Sequence, residues 1–166
     1  MNNARTDSHD GFLTERQLDW LGEQLAAAGR DGKLVLLAMH VPAHTNRHPD
    51  RGWHIKPDQG QTRLYELIEK HAGHIIALLH GHFHNGIRGW SDRRGPEGAP
   101  IHGIVFPSAL YNKDRKLTEQ KAPGYNLSEF RPGYTLAEIR GQTLTLRYKP
   151  RGAEVAAEKE LPLAAS

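Results

Sequence analysis

An α/β (α+β) fold, with a mixed sheet and C-terminal antiparallel hairpins, is predicted from three observations. Two short apolar runs, residues 34–39 and 75–79, each follow a stretch with helical spacing. Two alternating stretches, residues 134–139 and 144–148, flank the turn residues Arg140, Gly141 and Gln142. The 17 Gly and 10 Pro among 166 residues imply more turns than a helical bundle uses.

In chain order, residues 1–10 read as a polar lead-in without periodicity. Thr14 and Gln17 fit a capping box, in which each side chain bonds the other residue's backbone amide. Leu13 and Leu18 fall where a hydrophobic staple closes the turn. Leu18, Leu21, Leu25 and Ala28 then recur on one helical face, and Gly29 and Gly32 supply the stop. Residues 34–39 read as a strand buried on both faces, because the run does not alternate. It ends at His40. Residues 41–59, rich in Pro, His and Gly, are expected to form a long loop; in a compact domain such loops are usually functional or disordered.

A second helix is predicted over about residues 61–71, with Leu64, Leu67, Ile68 and Ala72 on one face and Gly73 at its end. Residues 75–79 give a second buried strand, which also runs into histidines. Residues 86–90 and 101–106 are expected to pair around a polar loop, 91–100, whose Arg93 and Arg94 form a solvated tip. Another long loop, 112–132, precedes the alternating pair. The Ala- and Glu-rich segment 151–166 reads as a peripheral tail. With no repeat and no visible boundary, the chain reads as a single domain with its core at about 12–150.

Composition removes several classes. Zero cysteines exclude disulfide scaffolds, thiolate zinc sites and cysteine nucleophiles. The longest apolar runs reach only about six residues, too short for a membrane span. No basic and apolar leader opens the chain, so the expected location is cytoplasmic. The net charge of +3 comes from scattered basic residues, with no stripe of the kind nucleic acid requires. The 11 histidines are the outlier. All lie at His9 or between His40 and His102.

The densest group is His80, His82 and His84, directly after an apolar strand. In extended backbone, side chains alternate, which puts His82 and His84 on one side and Phe83 on the core side. Gly81 allows a close backbone approach there. Imidazole is the commonest neutral metal ligand. In open sheets with helical crossovers, ligands gather beyond the carboxyl ends of the strands. If the two apolar strands are parallel neighbours joined by the second helix, His40 and His82 meet at one edge.

These residues resemble the calcineurin-like metallophosphoesterase superfamily from about Phe12 to Lys149. The resemblance rests on the capped helix at 13–21, on the strand ending in His40, Val41 and Pro42, and above all on Gly81, His82, Phe83 and His84. Tyr134 and residues 147–150 look like that family's last strands. The resemblance implies a β-sandwich flanked by helices, present here in part, and a two-metal site that activates water for in-line attack on phosphorus. By motif position His40 and His82 are implied as ligands of one ion and His84 of the other, with Asn85 orienting a ligand. The ions implied are divalent Mn, Fe or Zn. The implied substrate is a phosphoester, with no preference among phosphoester types and no membrane partner.

The chain departs from the family in one large respect. It has no Gly-Asp, Gly-Asn or Asn-His dipeptide, and these carry the family's bridging carboxylate, Asn ligand and proton donor. Asp7, Ser8 and His9 spell Asp-x-His, but they follow no buried strand and read as the loop ahead of the capped helix. The chain is therefore expected to correspond to the C-terminal half of such a domain. It is expected to bind at most one ion, weakly, and to hydrolyse phosphoesters poorly or not at all alone. The alternative is a non-catalytic binding or interaction module that retains half of the fold. Either way, an exposed sheet edge is expected to invite dimerisation or pairing. His44, His48 and His54 lie in the long loop, where they are either solvated or cover a substrate. His80 is read as packing or supporting hydrogen bonds, His71, His74 and His102 as structural, and Trp20 as packing.

Overall fold

The computed structural model describes residues 1–44, 53–83, 91–94, 100–107, 133–150, 152, 154–155 and 157–163. The first helix, α1 (Glu15–Arg30), begins where its capping box puts it. Thr14 accepts the Gln17 amide, and the Gln17 side chain accepts the Thr14 amide at 2.9 Å. Leu13 and Leu18 are both buried in one cluster, which fits the staple. Trp20, two residues beyond Leu18, lies on the opposite side of the helix and is 51% exposed, so the expected packing role is not observed.

The strand β1 (Val35–Ala38) leads through a loop and a short 3-10 turn, Pro57–Gln59, into α2 (Gln61–Lys70). Then follow β2 (Ile75–His80), β3 (Ser91–Arg94) and β4 (Pro100–Val105). These four strands form one sheet in the order β1-β2-β4-β3. β1, β2 and β4 run parallel, and β3 is antiparallel to β4. A second, antiparallel sheet contains β5 (Gly133–Arg140), β6 (Thr143–Pro150) and β7 (Ala157–Pro162) in that order. The protein is thus an α+β fold.

Two apolar clusters cover the two faces of the first sheet. On one face, Leu18, Leu21 and Leu25 of α1 and Leu64 and Ile68 of α2 pack on Leu37, Ile75, Leu78 and Ile101. On the other, Leu144, Leu146, Tyr148 and Leu161 of the second sheet pack on Ile76, Ala77 and Ile104. Burying each of these large side chains contributes roughly 1.5–3 kcal/mol against its exposed state. Arg63 of α2 ion-pairs with Glu15 and Asp19 of α1 and ties the two helices together on the surface, where such pairs add little.

β2 is central and buried on both faces, as expected. β1 is not. It is an edge strand, and no β1 residue belongs to the cluster under the second sheet. Leu37 faces the helices, while Leu34 and Leu36 are 44% and 38% exposed. An apolar run reports burial potential, but only the neighbouring layers decide which faces are covered.

Two further expectations change. Residues 91–94, expected as a loop, form β3, in which Arg93 opposes Ile101 and Arg94 opposes Pro100. An edge strand bonds on one side only, and charge there protects against further pairing, so its sequence resembles a loop. Residues 86–90 and 112–132 lie outside the described residues. The expected peripheral tail contains β7, which pairs along β6 and buries Leu161. Charged Glu and Lys surround that single apolar anchor and mask the strand signal. No helix among the described residues is long and apolar enough to cross a membrane.

Candidate functional site

Parallel pairing between β1 and β2 continues past the strand ends. The Met39 amide donates to the Leu79 carbonyl at 3.0 Å, and the Gly81 amide to the His40 carbonyl at 3.0 Å. This places His40 beside Gly81 and next to His82, beyond the carboxyl ends of both strands. The His40 and His82 rings lie 5.2 Å apart, at 74° to one another. Gly81 is what permits the approach. A Cβ at this position would lie 3.0 Å from His40 Nδ1 and 3.2 Å from its Cε1.

His82 does not continue the strand. Its φ is 63°, in the left-handed region, and the Phe83 amide donates back to the Gly81 carbonyl at 2.7 Å. The expected alternation of side chains is therefore replaced by a tight turn, although Phe83 is buried as expected. A left-handed non-glycine residue costs on the order of 1–3 kcal/mol and tends to occur at functional sites. Among the described residues Trp53, with φ 51°, is the other such non-glycine residue, and its ring lies 6.1 Å from His82.

The lead-in also reaches the site. The His9 ring lies 5.1 Å from Trp53 and 6.3 Å from His82. The segment is ordered by an Ala4–Gly11 bridge and by an ion pair of 2.5 Å between Lys56 and Asp10. That lysine, hydrogen-bonded to the carboxylate, holds Asp10 below its ordinary pKa. Asp7 instead pairs with Arg5 at 2.6 Å and faces solvent. His9, Trp53 and Asn3 (which bonds Val41, the residue after His40) are site neighbours that sequence reasoning missed. His9 had a faint signal in its Asp-x-His spelling, while Asn3 and Trp53 had none.

Of the remaining histidines, His80 is 2% exposed, with the His44 ring 5.5 Å away. Burial pushes the His80 pKa down to about 3, with the charge of His44 adding to the effect. His44 also packs 5.7 Å from Phe83 and so sits behind the first pair. His54 is half-buried, near Asp10. His71 and His74 lie at the end of α2, where His74 Nε2 is 2.9 Å from the Leu25 carbonyl and so bridges to α1. His48, His84 and Asn85 lie outside the described residues.

Two imidazoles on one tetrahedral ion, each bonded at about 2.0–2.1 Å, place their ring centres about 5 Å apart. The His40–His82 spacing fits that requirement. Among the described residues no group of three or more His, Asp or Glu side chains is placed to hold an ion. Compared with protein-family models and with curated proteins, the chain has no match.

Proposed function

We propose that this chain carries the histidine side of a divalent-metal site in a phosphoester hydrolase of the calcineurin-like metallophosphoesterase type. The observation that carries this reading is the meeting of His40 and His82, 5.2 Å apart, beyond the ends of neighbouring parallel strands. His40 and His82 hold one ion, His84 serves a second, and Asn85 orients a ligand. Such ions supply a Lewis acid for the phosphoryl oxygens and lower the pKa of the attacking water. The protein's own part is orientation. The Gly81 amide fixes the His40 carbonyl, and the tight turn fixes His82. Imidazole ligation suits Zn, Fe or Mn. Histidines alone do not neutralise and bridge two ions, so one weakly held ion and little or no turnover are expected of this chain by itself.

The test is turnover of an activated phosphodiester with added manganese. Slow hydrolysis lost in both His40→Ala and His82→Ala agrees with the proposal. Hydrolysis that survives both substitutions overturns it, and robust turnover lost in His82→Ala overturns the expectation of weak activity alone.

A second reading, a non-catalytic interaction module, is favoured by the exposed Leu36 of β1, an edge strand that pairs only with β2 among the described strands, and by the exposed Leu34 just before it. Its occupant is a second copy of the chain. A concentration-dependent dimer in sedimentation, weakened by Leu36→Lys, agrees with it; a monomer at all concentrations counts against it.

A further inference from the structure

The His40 side of the site is held by a residue far from it in sequence. Val41 directly follows His40 and is buried, beyond the end of β1. Its amide and carbonyl need partners there, since a buried backbone group left unpaired is costly. β2 does not supply them: the hydrogen bonds across the strand ends run from Met39 to Leu79 and from Gly81 to His40. Asn3 does. Its Nδ2 donates to the Val41 carbonyl at 2.7 Å, and its Oδ1 accepts the Val41 amide at 3.1 Å.

Asn3 is itself 1% exposed and anchored. Its carbonyl accepts the Phe12 amide at 3.0 Å. Gly11 lies close against Val41: a Cβ there would stand 2.9 Å from Val41 and 2.6 Å from Ile55. One carboxamide therefore acts as a two-point strand partner for Val41, while Gly81 holds the preceding carbonyl from the other side. The peptide that joins His40 to Val41 sits between these two clasps.

We infer that Asn3 is a positioning residue for His40, setting the imidazole's approach to His82 through the Val41 peptide. This rests on the metal-site reading, but it has a consequence independent of metal. Without the carboxamide, Val41 seeks water, the loop after β1 shifts, and the His40 ring leaves its 5.2 Å contact with His82. Supporting residues behind metal ligands typically change affinity by about 10–100-fold.

The test compares wild type with Asn3→Ala and with Ile68→Val, a core trim on α2 that lowers stability without touching the loop. Two readouts are used: nuclear Overhauser contacts between the His40 and His82 ring protons in metal-free protein, and cobalt affinity from its visible absorption. Asn3→Ala is expected to lose the ring contacts and weaken cobalt binding about tenfold or more, whereas Ile68→Val changes neither. Should Asn3→Ala fail to fold, Asn3→Ser, whose hydroxyl is too short to span both partners, is expected to act in the same direction. Unchanged ring contacts in a folded Asn3 variant, with affinity within about twofold, overturn the inference. If wild type binds no cobalt yet its ring contacts depend on Asn3, the metal reading falls and the positioning role stands.

Discussion

Replacing His80 with leucine is expected to flatten the acid sensitivity of the fold. His80 is buried at the end of β2, and its folded-state pKa lies near 3 against an ordinary value of 6.5. Between those values the unfolded chain carries a proton at this position and the folded chain does not. Stability from this group is therefore full above about pH 6.5 and declines as pH falls toward 3. Each unit is worth about 1.4 kcal/mol, so at pH 5 the loss is about 2 kcal/mol. His71 acts in the same direction, since burial first, and then the charges of His74 and Lys70, lower its pKa. Asp10 and Glu138 are held low by Lys56 and Arg147 respectively, so they too lose stability on acidification, but only as pH falls through their ordinary values of 3.8 and 4.5, below the pH range of the melts. Urea melts in the presence of a chelator at pH 7.5, 6 and 5 measure the slope for wild type and His80→Leu. Wild type is expected to lose about 2 kcal/mol more than the variant between pH 7.5 and 5. Equal slopes would refute the account of a neutral, desolvated His80.

Two other outcomes are expected. Gly81→Ala places a Cβ 3.0 Å from His40 Nδ1, and the ring must give way; metal affinity is expected to fall about tenfold with little change in melting temperature, as read by cobalt titration and calorimetry. Leu161→Ala is expected to cost about 2–5 kcal/mol in denaturant unfolding, because β7 closes the second cluster; a cost below about 0.5 kcal/mol would restore the tail to the periphery.

How much of this was legible in the sequence followed the range of the interactions. The capping box of α1 spans Thr14 to Gln17 and reads locally, and the helical faces of α1 and α2 follow from spacing alone. The meeting of His40 and His82 was legible because both follow apolar runs of the kind that become parallel neighbours. The half-exposure of β1 was not, since it depends on where a second sheet stops. Nor were β3 and β7 recognisable: edge strands carry charge, and the buried Leu161 is a single residue among Glu and Lys. The turn at His82 replaced an expected strand because its left-handed φ is set by the Phe83–Gly81 hydrogen bond and by packing. Asn3, His9 and Trp53 come to the site from dozens of residues away, and no local pattern announces such contacts. Fold does not fix function, and the proposed phosphoester class rests on the resemblance carried by Gly81, His82, Phe83 and His84, not on the fold.

Whether His40 and His82 together grip a divalent ion is read out by isothermal titration of chelator-treated protein with zinc or manganese. One weakly bound ion per chain is expected, lost in His40→Ala and in His82→Ala alike and retained in His74→Ala, whose ring serves the α1–α2 junction. Binding that is absent from wild type, or that persists undiminished in both His40→Ala and His82→Ala, would contradict this expectation.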